Sequence, residues 1–138
     1  MQKIFVSVLI VNYNNGKYLD RSIKSCLNQK YRDIEIVIYD DKSIDDSPTI
    51  LRKYKKKNKK IIFNKLKKTG IAAFDSKNVY YRLIKKSKGK IIFLLDSDDY
   101  FKKNKIHNIV KIFKQNQKID FIQDLPIIRF FKYKKKKN

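Results

Sequence analysis

Apolar and polar positions fall in blocks along this chain, and the first block, Ile4-Phe5-Val6-Ser7-Val8-Leu9-Ile10-Val11, is almost unbroken. A β-branched run of this kind predicts a strand buried on both faces of a parallel sheet, the central first strand. Asn12-Tyr13-Asn14-Asn15-Gly16 supplies turn chemistry, and Leu19, Ile23, Cys26 and Leu27 then recur at helical spacing. Ile34-Glu35-Ile36-Val37-Ile38-Tyr39 predicts a second strand, stopping at Asp40-Asp41-Lys42-Ser43. Ser47 followed by Pro48 reads as an N-cap with proline at the first helical position, and Ile50, Leu51 and Tyr54 give that helix its inner face. Ile61-Ile62-Phe63 predicts a short third strand. Over residues 77–87, Val79, Tyr80, Leu83 and Ile84 form one apolar stripe on a helix, with Gly89 as its C-cap candidate. Residues 91–95 predict a fourth strand running straight into Asp96-Ser97-Asp98-Asp99. Ile106, Ile109, Val110 and Phe113 mark a further helix capped near Asn104, and residues 120–123 are expected as a fifth strand. Strands alternating with helices imply βαβ units, hence an α/β fold with a mostly parallel sheet.

At 138 residues the chain has room for one domain, and no internal repeat or Pro/Gly/Ser linker divides it. The hydrophobic fraction of 42% is enough for a core despite 35% charged residues. Lone Cys26 excludes an intramolecular disulfide, and lone His107 leaves no Cys/His set for zinc. The first apolar run is far short of the roughly 18 residues that span a bilayer, and no small-residue cleavage site follows it. A cytoplasmic protein is expected. The formal net charge of +22 draws the surface toward phosphates, nucleic acid or acidic lipid, including peripheral contact with an anionic membrane at its inner face. Lysine-rich runs such as 55–60, 65–68 and 134–137 also read simply as solvated faces, or as the product of an A+T-rich coding sequence.

In open parallel sheets ligands bind outside the carboxyl ends of the strands. Those ends read Asn12-Tyr13-Asn14, Asp40-Asp41 and Asp96-Ser97-Asp98-Asp99, so acidic groups gather there in a chain with only 13 of them. Asp96 and Asp98, flanking Ser97, offer hard oxygen ligands suited to Mg²⁺ or Mn²⁺, with coordination positions left for phosphate oxygens. The plainer alternative is that strand-end carboxylates only form turns and helix caps.

Four segments together resemble the family 2 glycosyltransferases: residues 6–14, Leu27-Asn28-Gln29-Lys30-Tyr31, residues 34–47, and Gly89-Lys90-Ile91-Ile92-Phe93-Leu94-Leu95-Asp96-Ser97-Asp98-Asp99-Tyr100. The resemblance covers about residues 4–124 and implies a GT-A fold, a Rossmann-like α/β sheet with flanking helices that binds a nucleotide-diphosphate sugar, UDP-type favoured. It implies a donor nucleotide-binding set of Asn12, Tyr13, Asn14, Asp40, Asp41, Lys77 and Asp96. Within it Tyr13 packs on the nucleobase, Asp41 with Asp40 beside it accepts from the base, and Asp96 lies near ribose and metal. The resemblance implies that Asp98 binds the divalent ion. A core-edge role for Tyr13 and turn roles for Asp40 and Asp41 are the alternatives.

The chain departs from the family in two places. Residues 71–78 read Ile-Ala-Ala-Phe-Asp-Ser-Lys-Asn where the family carries an arginine motif, leaving Lys77 to supply positive charge near the diphosphate, as a point charge rather than a fork. Otherwise Lys77 is a solvated helix-start lysine. The second departure lies beyond Asp98, where Asp120 and Asp124 fall in the place of a structural strand and no general base is evident. The expectation is a donor-binding domain over 1–131 with a basic tail over 132–138, the acceptor half largely missing, and little sugar transfer by the chain alone. The leading reading is inverting transfer to a polysaccharide or lipid-linked acceptor. A non-catalytic nucleotide-sugar-binding remnant comes second, and a basic nucleic-acid binder, suggested by Phe130, Phe131 and Tyr133 among lysines, comes last.

Overall fold

The computed structural model describes residues 3–59, 61–64, 76–116 and 118–123, and for 62–64 and 76–78 the backbone alone. Strands and helices alternate: β1 (Val6–Asn12), α1 (Gly16–Leu27), β2 (Ile34–Asp40), α2 (Ser47–Lys57), β3 (Ile61–Asn64), α3 (Ser76–Lys86), β4 (Ile91–Asp96) and α4 (Lys105–Gln115). The strands form one sheet in the order β3-β2-β1-β4, every pairing parallel. β1 therefore has hydrogen-bonded neighbours on both sides, as its unbroken apolar run requires.

The two-residue period of the strands sorts the core into two layers. Val6, Val8 and Ile10, in register with Ile34, Ile36 and Ile38 and flanked by Ile91, Phe93 and Leu95, face α1, α2 and α4. Those helices answer with Leu19, Ile23, Cys26, Leu51, Ile106 and Val110, all buried. On the opposite face Leu9, Val37 and Tyr39 pack against Leu83 of α3, joined by Val11, Val79, Tyr80 and Ile92. α3 lies over β1 and β2. Leu94, on the uncovered part of that face, is 54% exposed although it sits in as apolar a run as β1.

Four sequence expectations are corrected. Ser47 is the first residue of α2 rather than its cap; the cap position is Asp46, and Pro48 falls one place later than expected. Gly89 lies three residues past α3 and does not cap it. Its role is close approach to β1: a Cβ there would stand 2.3 Å from the Ser7 amide nitrogen, and the Gly89 N–H donates to Ser7 Oγ at 2.8 Å. The same crossing buries Glu35, which accepts from Ser7 Oγ and from the Lys88 amide, both at 2.6 Å. Ile84 is 45% exposed, so the inner stripe of α3 ends at Leu83. Residues 120–123 form no strand, and Phe121 is 77% exposed, with no apolar layer to bury it. The basic tail and Asp124 lie outside the described residues. None of the described helices is long and apolar enough to cross a membrane.

Candidate functional site

Because the sheet is parallel, β1, β2 and β4 deliver their carboxyl ends to one edge, with Asn12 opposite Asp40 and Val11 opposite Asp96. Asn12 and Asp40 are buried there, 0% and 6% exposed. Asn12 Nδ2 donates to Asp40 Oδ1 at 2.6 Å and to Ser43 Oγ at 3.1 Å, while Ser43 Oγ donates to Asp40 Oδ1 at 2.6 Å. The Ser43 amide reaches Asp40 Oδ2 at 3.2 Å, and the Asn14 amide reaches Ser43 Oγ at 2.8 Å. Asn14 Oδ1 accepts from the Ile44 amide at 2.9 Å. Asn14 and Lys42 hold φ of 50° and 59°, left-handed conformations that fold both loops back on each other. These bonds tie the loop after β1 to the loop after β2.

The tie leaves Tyr13 at the surface, 53% exposed. Asp41 is half-buried and accepts from Tyr39 Oη at 2.9 Å; burial first, and the Asp41 contact next, push the Tyr39 phenol up to about 12.

Asp45, which sequence reasoning passed over, joins two helices. Its Oδ2 accepts from the Gly16 amide at 2.7 Å and its Oδ1 from the Ser47 amide at 3.0 Å, the first N–H groups of α1 and α2. A carboxylate between two helix N-termini is favoured by both dipoles. Asp45 caps α2 from one position before the cap residue, and only its residue type, in an Asp-Asp-Ser-Pro run before a helix, hinted at such a role.

The turn after β4 is fastened along α1. Ser97, 3% exposed, accepts from Asn15 Nδ2 at 2.9 Å; Phe101 N–H donates to Ser25 Oγ at 3.0 Å. Buried Gln29 donates to the Lys102 carbonyl at 2.9 Å and accepts from the Ile106 amide at 3.1 Å. Beside and between these anchors, Asp96, Asp98 and Asp99 are exposed. Burial, then the charges of Asp98 and Asp96, push the Asp99 carboxyl up, with Arg21 opposing. Tyr80 Oη approaches Asp96 Oδ1 at 3.4 Å. The described ion pairs, Lys3–Asp33 and Lys24–Asp20, involve none of these three carboxylates.

The structure thus brings Asn12, Tyr13, Asn14, Asp40, Asp41, Asp96 and Asp98 to one edge of the sheet, but in two different capacities. Tyr13, Asp41, Asp96 and Asp98 have surface to offer a ligand, whereas the Asn12 and Asp40 side chains are engaged in holding the loops. Lys77 sits in the first turn of α3, and its side chain lies outside the described residues. No group of three or more His, Cys, Asp or Glu is poised to hold a metal among the described residues, so Asp96 and Asp98 form at most part of a coordination shell. Their donor chemistry, two exposed carboxylates without nitrogen or sulfur, fits a hard divalent cation that takes its other ligands from water or phosphate.

Comparison with known proteins sets this edge in context. The family model described as Glycosyl transferase family 2 matches residues 7–138. An uncharacterized glycosyltransferase of Nostoc sp. is 32% identical over 123 residues, which are 89% of this chain and 37% of that protein. The poly(ribitol-phosphate) beta-N-acetylglucosaminyltransferase TarP of Staphylococcus aureus is 36% identical over 115 residues, 80% of this chain and 33% of that one. Among solved structures, S. aureus TarS 1–349 in complex with UDP-GlcNAc superposes with a TM-score of 0.71 at 25% identity, covering 83% of this chain and 32% of that 1–349 chain. The chain spans well under half the length of these relatives.

Proposed function

This chain belongs to glycosyl transferase family 2, and from that premise we propose that the sheet edge binds a nucleotide-diphosphate sugar together with Mg²⁺ or Mn²⁺. The observation that carries the proposal is the convergence of an exposed aromatic ring, Tyr13, with carboxylates at 41, 96 and 98 that have no lysine or arginine partner among the described residues of a +22 molecule. On such a surface, carboxylates without cationic partners suit a bound cation.

Tyr13 offers a flat face for a nucleobase. Asp41, with one oxygen already accepting from Tyr39, keeps acceptor capacity for a base N–H. Asn12 and Asp40 position these two through the Ser43 network rather than touching the nucleotide. Asp96 and Asp98 would hold the divalent ion, which when bound neutralises charge on the diphosphate leaving group. Lys77 adds a positive charge near the start of α3. A UDP-type donor is favoured by the resemblance of this chain to TarS, whose solved structure contains UDP-GlcNAc. The acceptor class is a polysaccharide or a lipid-linked saccharide, and inverting transfer is the reaction of the whole enzyme. With a lipid-linked acceptor, work at the inner face of a membrane agrees with the positive surface.

The test is calorimetry of UDP binding to the purified chain with Mn²⁺ and with EDTA, for the natural sequence and Asp98→Asn. Tighter binding with Mn²⁺, a difference abolished in Asp98→Asn, is the expected result. Equal affinity under all conditions overturns the cation assignment, and no binding at all overturns the donor assignment.

A further inference from the structure

Arg21 belongs to none of the motifs above, yet its side chain is the link between the middle of α1 and the acidic turn. Nη2 donates to the Asp98 carbonyl oxygen at 2.7 Å. The guanidinium carbon stands 4.7 Å from the Tyr100 ring centroid and 5.7 Å from that of Tyr18. Tyr18 and Arg21 are three residues apart and so share one side of α1, whereas Tyr100 is the first residue past Asp99. One planar cation therefore touches an aromatic on the helix, an aromatic after the turn, and the turn's own backbone.

The choice of acceptor is informative. An arginine close to several carboxylates ordinarily forms a charge-assisted, forked pair with one of them. Here the bond goes to a main-chain carbonyl, and the described ion pairs do not include Arg21. The turn is fixed by its backbone while the Asp98 carboxylate is left without a cationic partner among the described residues. The neighbouring anchors, Asn15 to Ser97 and Ser25 to Phe101, bracket the same stretch from the same helix. They hold its two ends, and in the middle the Asp98–Asp99 peptide is held from both sides, its N–H by the Asp96 carbonyl at 3.1 Å within the turn and its carbonyl by Arg21 from the helix.

We infer that Arg21 is the positioning residue of the cation-binding turn, presenting Asp98 to a divalent ion through the peptide carbonyl and the Tyr100 ring. This rests on the reading of Asp96 and Asp98 as the cation site. Two effects of Arg21 on that site have opposite sign. Its charge repels a divalent ion, so removing charge alone tightens binding. Its geometry orders the ligand loop, so removing the geometry weakens binding. Lysine keeps the charge but has neither the planar face nor the fork.

The experiment measures Mn²⁺ binding to the purified chain by electron paramagnetic resonance of the free ion, with and without UDP, for the natural sequence, Arg21→Lys, Arg21→Met, Tyr100→Leu and Asp98→Asn. Circular dichroism confirms that each variant is folded. The expected result is Mn²⁺ affinity about tenfold or more weaker in both Arg21 variants, the usual cost of losing a partner that orients a metal ligand, with no rescue by lysine. Tyr100→Leu weakens it in the same direction by less, and serves as the probe should an Arg21 variant fail to fold. Affinity unchanged in Arg21→Lys, or tightened in Arg21→Met, shows that only charge matters and overturns the inference while leaving the cation site standing. Absence of Mn²⁺ binding in the natural sequence, with and without UDP, overturns the site itself and the inference with it.

Discussion

Replacing Asp45 with alanine removes in one step the acceptor for the first amides of two helices, Gly16 N at 2.7 Å and Ser47 N at 3.0 Å. Loss of a capping acceptor costs about 0.5–2 kcal/mol per helix. Asp45 is exposed, so water takes over part of each bond, and about 1 kcal/mol per helix, about 2 in all, is the appropriate figure. For a domain of this size each kcal/mol is worth roughly 4 °C in Tm, so the expected drop is about 8 °C. Asp45→Asn keeps an acceptor and loses the charge, and should lose about half as much. Burial works against the charged form of Asp45, but the hydrogen bonds from Ser47 and the Gly16 amide outweigh it, so the folded carboxyl lies below its usual 3.8. A depressed folded value contributes stability in full above 3.8, lost as the pH falls through the lower folded value. The Tm gap between the natural sequence and Asp45→Ala should therefore hold from about pH 7 to about pH 5 and close below the usual carboxylate range. Thermal unfolding by far-ultraviolet circular dichroism across that range is the assay. Equal Tm values at neutral pH, or a gap undiminished at about pH 3, would refute the idea that one carboxylate serves both helices.

Three further outcomes follow from particular contacts. Tyr13→Ala should weaken UDP binding by about 1–3 kcal/mol in calorimetry, the scale of base stacking, with Tm unchanged; unchanged affinity returns Tyr13 to a surface role. Gly89→Ala drives a Cβ to 2.3 Å from the Ser7 nitrogen, on rigid backbone, and should destabilise by about 1–3 kcal/mol in urea unfolding; a neutral result would show that residues 87–90 shift freely. Cys26 is buried and its thiol is pushed up to about 12, burial being the main cause, so alkylation by iodoacetamide at mild alkaline pH should proceed only as the chain unfolds. Modification of the folded chain at the rate of a free thiol would contradict that burial.

The sheet was legible because its strands are long apolar runs and its helices carry apolar residues every three or four positions. The acidic turn was legible because it interrupts such a run. Other features depend on partners far away in sequence. Asp40 and Asp41 are chemically alike neighbours, and only the register of Asn12 against Asp40 decides which turns inward. Leu94 reads as core from its neighbours, but exposure depends on where α3 lies. The role of Gly89 is a close approach to a strand more than 80 residues earlier, which resembles a cap when only the adjacent helix is considered. Arg21 looks like an ordinary exposed helical arginine until Asp98 and Tyr100 are brought beside it.

The fastening of the acidic turn along α1 also bears on the order in which the molecule is made. Asn15 meets Ser97 across 82 residues, Arg21 meets Asp98 across 77, and Ser25 meets Phe101 across 76. During synthesis β1 and α1 leave the ribosome long before any of these partners exists. Until they arrive, Arg21 and Ser25 on α1, with Asn15 and Gln29 flanking it, lack these distant partners, and β1 lacks the neighbour that covers one of its edges. Contacts of such separation are slow to close. A nascent chain at this stage displays a bare apolar strand edge, the feature chaperones shield and aggregates exploit. The arrangement that makes the sheet edge a single site thus concentrates the risk of its biogenesis in the interval between residues 40 and 96.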